Sequence, residues 1–221
     1  MARTTLTLVR HGESDVTVRQ VFGGERSCTG LSALGVQQAE ALRDRLRRTR
    51  ELSVDRLWSS TLPRAIETAE VLAPALGDLD LCTDPELQEL RPGPEADGTP
   101  FGEYEERFGV FDQWDEPHRP IAPGGESLAE FQHRVGRALF AVADEAVGQS
   151  VLIVCHGGVI DGAFRSLLGY SHPVGLFSLN TSITQFQRSA DGDGPHRWAL
   201  VRYNDAGHLE GLLAKTERDA Q

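Results

Sequence analysis

The sequence predicts an α/β fold of three layers, with helices on both faces of a mostly parallel central sheet, and two observations predict it. Strand-like segments alternate with segments of helical period along the chain, which is the pattern of layered α/β proteins. One strand segment, Val151-Leu-Ile-Val-Cys155, is apolar without interruption, as a parallel strand covered on both faces must be. A length of 221 residues, 39% apolar and 25% charged, suits one globular domain with a substantial core. The whole chain, 1–221, is expected to form that single domain.

Residues 4–9, 54–58, 151–155, 183–186 and 197–203 read as strands. A helix is predicted from Ser32, a suitable N-cap, with Leu34, Ala39, Leu42 and Leu46 on one side and several arginines elsewhere. A second begins at Pro63, a residue favoured in a first helical turn, with Ile66, Ala69, Ala73 and Leu76 as its apolar face. Two more are predicted over 127–147 and 158–168. The last two strands flank the turn-rich run Ser189-Ala-Asp-Gly-Asp-Gly-Pro195 and are expected to pair antiparallel at one end of the sheet. Residues 91–125 are rich in Gly and Pro and read as a long, partly helical excursion, a candidate lid over a site. Repeats, low-complexity runs and a dividing linker are not found.

Composition narrows the function. Lys and Arg total 22 against 33 Asp and Glu, a formal charge of -11, which opposes nucleic acid and anionic membranes as partners. A small anionic substrate stays compatible, because a few arginines can make a local positive pocket. The amino-terminal residues lack the apolar core of a signal peptide and no apolar stretch is long enough to cross a bilayer, so a soluble, cytoplasmic protein is expected. Cys28, Cys82 and Cys155 are odd in number and far apart, and are expected to be reduced structural thiols.

Two strand exits are alike: Leu6-Thr-Leu-Val-Arg10-His11-Gly12 and Val151-Leu-Ile-Val-Cys155-His156-Gly157. Ligands of open α/β sheets bind beyond the carboxyl ends of the strands, so two imidazoles could converge there on one small group. A single strand-end histidine is as often a hydrogen-bonded core residue; the pair, with Arg10 beside the first, favours a site. A third exit, Leu57-Trp-Ser-Ser60-Thr-Leu-Pro63-Arg64, hands a strand to a helix whose N-terminal amides suit an anion. Arg64 is unexpected in a first turn on dipole grounds, which a role as phosphate clamp would explain.

These segments, Leu8-Val-Arg-His-Gly-Glu-Ser14, Ser59-Ser-Thr-Leu-Pro-Arg-Ala-Ile-Glu-Thr-Ala69, Pro123-Gly-Gly-Glu-Ser127 and Cys155-His-Gly-Gly158, resemble in order and spacing the motifs of the histidine phosphatase superfamily, in its phosphoglycerate mutase-like branch. The resemblance runs from about Thr5 to Asn204. It implies a phosphoglycerate mutase-like fold, His11 as the nucleophile that becomes phosphohistidine, and Arg10, Arg64 and His156, with Gly157, at the phosphoryl oxygens. It further implies a proton-transferring carboxyl group in the Leu87-Gln88-Glu89 segment, with Glu89 matching and Glu86 as rival. The chemistry agrees: an imidazole is nucleophilic near neutral pH, and arginine forks neutralise a phosphoryl group. Glu126 of the Pro-Gly-Gly-Glu-Ser motif could cap the following helix or orient a pocket residue, the structural role being favoured, and Asn180-Thr-Ser-Ile183 resembles a late family motif near the site. Members often carry Asn where this chain has Thr17, which could still contact the phosphoryl group through its hydroxyl. The rim at Ser27-Cys-Thr-Gly30-Leu31 and the stretch from Leu90 to Gly98 also depart from the family pattern, which bears on specificity.

The expected function is therefore metal-independent hydrolysis of a small phosphate monoester, without cofactor, on a small phosphorylated metabolite. Three alternatives stay open: a phosphoglycerate mutase-type transfer, a non-catalytic phospholigand-binding protein, and a metal-dependent phosphoesterase. Against the last, the seven histidines form no HExxH motif and no paired carboxylate ligands accompany them. A homodimer is compatible with all of these.

Overall fold

The computed structural model of the chain describes residues 3–171, 175–189 and 197–212. Six strands form one sheet: β1 (Arg3–Arg10), β2 (Arg56–Ser60), β3 (Leu81–Asp84), β4 (Ser150–Cys155), β5 (Ile183–Ser189) and β6 (Arg197–Asp205), in the spatial order β3-β2-β4-β1-β5-β6. The four strands from β3 to β1 are parallel, while β5 and β6 join antiparallel at one side. The expected pairing of the last two strands holds; the connection between them, 190–196, lies outside the described residues. β3 is absent from the sequence reading because it is short and partly exposed at the sheet edge, so its apolar signal is weak.

The helices are α1 (Asp15–Val18), α2 (Ala33–Thr49), α3 (Pro63–Leu72), α4 (Phe101–Phe108), α5 (Leu128–Glu145) and α6 (Gly157–Leu168). Strand alternation divides the core into two layers. Leu6 and Leu8 of β1 with Val151, Ile153 and Cys155 of β4 meet the side chains of α5 and α6. Val9, Leu152 and Val154, from the same two strands, meet Leu42 and Leu46 of α2 and Ala65, Ala69 and Leu72 of α3. The uninterrupted apolar run of β4 thus follows from burial on both faces. Among the described residues no helix is long and apolar enough to cross a membrane.

The predicted helix starts coincide with real caps. Ser32 accepts from the Gly35 amide at 3.0 Å, and Ser127 closes a reciprocal capping box with Glu130. Glu126 is therefore not the cap of α5. The predicted apolar face of α3 is corrected: the buried positions are Ala65, Thr68, Ala69 and Leu72, while Ile66, Ala73 and Leu76 are half-buried. Pro74 has no amide to continue the ladder, so α3 stops at Leu72 and a single 3₁₀ turn follows.

β1 and β4 lie side by side and parallel, so their carboxyl ends open at one place. The crossover from β1 to β2 passes over β4, which makes this the point where chain direction across the sheet reverses.

Candidate active site

His11 leaves β1 with its backbone amide donating to the Cys155 carbonyl at 2.9 Å, which ties the two histidine-bearing exits together. The Asn180 side-chain amide donates to the His11 carbonyl at 2.8 Å, and the Gly12 amide donates to Thr68 Oγ1 at 3.1 Å. Gly12 admits no larger residue: a Cβ there would lie 2.5 Å from the Gly35 carbonyl oxygen. His156 is the N-cap position of α6. The two rings stand 5.0 Å apart, edge to face, and both are buried.

Arg64 lies between them. It is 4% exposed, and its Nε is 3.1 Å from His11 Nε2 and 3.3 Å from His156 Nδ1. The hydrogen bonds assign both tautomers. His11 Nδ1 lies 2.6 Å from the Gly12 carbonyl, which can only accept, so Nδ1 carries the proton and Nε2 presents a lone pair. His156 Nδ1 accepts from Arg64, so its Nε2 donates to Ser60 Oγ at 2.8 Å. Burial, then the Arg64 and Arg10 guanidiniums, hold His11 well below the usual histidine range, against the opposing pull of the Gly12 carbonyl. Burial and the same arginines, together with His11, lower His156. Both imidazoles are neutral at neutral pH. An arginine in the first turn of α3 is thereby accounted for, since its side chain is stationed at the ring nitrogens.

Arg10 and His11, neighbours in the chain, line the same cavity, so the strand does turn there. Arg10 is anchored through a hydrogen bond to the Ser178 carbonyl, and its Nε is buried without a partner. Glu89 lines the cavity from the other side; its Oε2 accepts from the Gly158 amide at 3.0 Å and its Oε1 from the Leu90 amide at 3.0 Å. Glu86 points elsewhere, paired with Arg91 at 3.1 Å and near Arg137 at 3.9 Å. Thr17 is at the exposed rim of the cavity, its hydroxyl 3.0 Å from Ser14 Oγ. Gly157 is beside Arg10, whereas Gly158 lines the cavity and contacts Glu89: a Cβ at 158 would stand 2.2 Å from Glu89 Oε1. Cys28 is buried with Val16 and Val21. Burial pushes the Cys155 thiol up, and the Glu89 charge adds to this. Among the described residues no cluster of three or more His, Cys, Asp or Glu side chains is disposed to hold a metal ion.

Two contributors escaped the sequence reading. Ser60 supports His156 and also accepts from the Leu62 amide at 3.2 Å; two adjacent serines at a strand end gave no sign of which one turned inward. Arg134 is 6% exposed, pairs with Glu126 at 2.6 Å, and donates to the carbonyls of Glu86, Gln88 and Glu89. It fixes the backbone that carries Glu89, and Glu126 is structural in this way. An arginine between Phe131 and Ala138 on the buried stripe of α5 was the available signal.

His11, two arginines and a facing carboxylate around one cavity, with His156 buried behind them against His11 and Arg64, form an arrangement able to receive a phosphoryl group. A family model described as the histidine phosphatase superfamily, branch 1, matches residues 6–206. The chain belongs to that superfamily. Among curated relatives of the chain, phosphoglycerate mutase-like protein 4 of Arabidopsis thaliana is 32% identical over 209 residues, covering 93% of this chain and 86% of the relative. Among solved structures, a mycobacterial glucosyl-3-phosphoglycerate phosphatase superposes with a TM-score of 0.75 at 28% identity, over 92% of this chain and 99% of that one. A phosphoglycerate mutase of Bacillus anthracis shares the fold with a TM-score of 0.76 at 23% identity, over 94% of this chain and 95% of its own. Members of the superfamily are phosphatases or mutases, and the phosphoglycerate mutase-type fold expected from the motifs is the one observed.

Proposed function

We propose that this member of the histidine phosphatase superfamily is a cytoplasmic phosphatase that hydrolyses a small phosphate monoester through a phosphohistidine at His11. The observation that carries the reading is the tautomer of His11: with Nδ1 held by the Gly12 carbonyl, the Nε2 lone pair faces Arg64 in the cavity. Arg10 and Arg64, with the Gly157 amide, hold the phosphoryl oxygens; His156 joins them as a donor once Arg64 leaves its Nδ1 and the ring carries a proton on that nitrogen. On binding, Arg64 turns its donors from the ring nitrogens to these oxygens. His11 Nε2 then forms a bond to phosphorus as the ester P–O bond breaks, and Glu89 gives its proton to the departing alkoxide. Water next attacks the phosphohistidine, Glu89 takes the proton, the N–P bond breaks and inorganic phosphate leaves. Thr17 contributes a hydroxyl at the rim.

The test is phosphate release from a panel of monoesters in excess chelator, comparing wild type with His11→Ala. Removal of the nucleophile is expected to lower turnover by at least ~10³-fold, and acid-labile phosphate trapped during turnover is expected on wild type only. Equal release by the variant would overturn the assignment of His11. The name of the Arabidopsis relative supports a second reading, in which the phosphoryl group passes to another hydroxyl. A phosphoenzyme that persists without substrate and returns its phosphate to an alcohol rather than to water would establish that reading instead.

A further inference from the structure

The cavity holding His11 has a volume of about 540 Å³, far more than a phosphoryl group occupies and within the range of small-molecule sites, ~300–1,000 Å³. Outward from the cradle its walls are Val16, Val21, Phe22, Leu90, Phe101 and Ile121. Val16, Val21 and Ile121 are buried, and Phe22 meets the Phe101 ring at 4.9 Å and the Tyr104 ring at 4.6 Å, an aromatic corner at the mouth.

The placement of charge is as informative as the apolar walls. Among the described residues that line this cavity the cations are Arg10 and Arg64, both at the phosphoryl end. The lining acids are Glu89 and Asp161, the second paired with Arg165 at 3.0 Å. An adjoining cavity of about 440 Å³ shares Gly23, Glu89, Leu90 and Pro92 and adds Arg26 and Arg91. Arg91 is engaged by Gln88 at 3.0 Å, the Pro85 carbonyl at 2.8 Å and Glu86 at 3.1 Å. Arg26 is held by the Pro94 carbonyl, with Asp97 at 3.8 Å. A second anionic group on the substrate would face apolar walls and carboxylates, with Arg91 already engaged and Arg26 turned to the Pro94 carbonyl and largely exposed, which is costly for a desolvated charge.

We infer that the leaving group of the substrate is an uncharged, largely apolar alcohol, alkyl or aromatic, rather than a hydroxy acid or an alcohol bearing a second phosphate. This rests on the phosphatase reading above and narrows it. The phosphoryl cradle anchors one end, and the organic part extends along Leu90 and Ile121 to the Phe22–Phe101 corner.

Ethyl, butyl and hexyl phosphate have leaving oxygens of nearly equal basicity, so a chain-length series reports the walls and not intrinsic reactivity. kcat/KM is expected to rise by about fourfold per methylene while the chain remains within the cavity, and to exceed that for 3-phosphoglycerate by more than ~10-fold at hexyl phosphate. Phe101→Lys, at a position 51% exposed and so tolerant of change, is expected to lower the hexyl-to-phosphoglycerate ratio several-fold. A flat series, or 3-phosphoglycerate hydrolysed as efficiently as hexyl phosphate, overturns the inference and leaves the phosphatase reading intact. The reverse separation uses wild type and non-cleavable ligands: calorimetry with hexylphosphonate and 3-phosphonopropionate. Tighter binding of hexylphosphonate with no turnover of any ester would retain the apolar pocket and reject the phosphatase; tighter binding of the carboxylated phosphonate would reject the pocket.

Discussion

At its inner end the cavity is built from the exits of β1, β2 and β4 and the first turns of α3 and α6, and its polar atoms are cross-held: His11 by Gly12, Asn180 and Cys155, His156 by Ser60, and both rings by Arg64. At its outer end the walls come largely from irregular chain, including Leu90, Pro92, Gln113 and Ile121, with Phe101 at the start of α4, and much of the contact is between apolar surfaces. The first region suits electrostatic preorganisation, which requires donors fixed before the charge develops. The second is free of that demand and can vary with the organic part of the substrate. Glu89 stands on the boundary, on a loop of the outer region but bonded to the Gly158 amide of the inner one.

That boundary position is the sharpest place to break the comparison. Glu89→Gln retains shape and removes the carboxyl group to which the proposed reaction gives the proton transfer. If Glu89 belongs functionally with the inner region, kcat for an alkyl phosphate is expected to fall by about 10²–10⁴-fold, with much less loss for 4-nitrophenyl phosphate, whose leaving group needs no proton. Equal losses on the two esters would instead make Glu89 a wall residue.

The hold of one region on the other passes through Arg134 and Glu126. Removing the carboxylate with Glu126→Ala leaves a buried guanidinium without its ion pair, an expected loss of about 3 kcal/mol, or a fall in melting temperature of about 10 °C for a chain of this size. Because Arg134 also binds the Glu89 carbonyl, kcat is expected to fall with it, more for alkyl phosphates than for 4-nitrophenyl phosphate. Loss of stability with unchanged relative rates would show that the inner region keeps Glu89 in place through Gly158 alone.

The two regions were unequally legible in the sequence, for a physical reason. Strand exits followed by His-Gly, and helices entered through Ser32, Pro63 and Ser127, are local signals, because the residues that define them are adjacent in the chain. The fold and the meeting of Arg10, His11, Arg64, Glu89 and His156 were therefore readable. The tautomer of His156, set by Arg64 and Ser60, and the hold of Arg134 on the backbone of Glu86 and Glu89 depend on residues tens of positions apart, and Glu89 was preferred to Glu86 through the family resemblance alone. The 91–125 segment was recognisable as an excursion from its Gly and Pro content, but the apolar corner that Phe22 makes with Phe101 required the fold. β3 failed as a signal because an edge strand this short buries little apolar surface.

The smallest expected effect concerns the loop that carries Asn180 to His11. Thr181, next in the chain, donates its amide to the Arg10 carbonyl at 2.8 Å and meets His208 Nε2 through its hydroxyl at 2.9 Å. Burial, then the charge of Arg45, lowers His208 to about 4, against the opposing pull of Asp205 and Glu51. The unfolded chain protonates this histidine near the ordinary value of about 6.5, so between about pH 6.5 and pH 4 the unfolded state binds the extra proton. Stability contributed by neutral His208 is complete above that window and is lost as pH falls through it, with no further loss below about 4. His11 and His156 act with the same sign, so wild type is expected to lose melting temperature steeply on acidification. His208→Gln, which keeps a hydrogen-bonding group beside Thr181 and cannot titrate, is expected to flatten that slope by roughly 1 kcal/mol once solvent screening of this partly exposed ring is allowed for. Thermal denaturation of both proteins at pH 7 and pH 4.5 measures it; an unchanged slope would place the acid sensitivity of the fold in the His11–His156 pair alone.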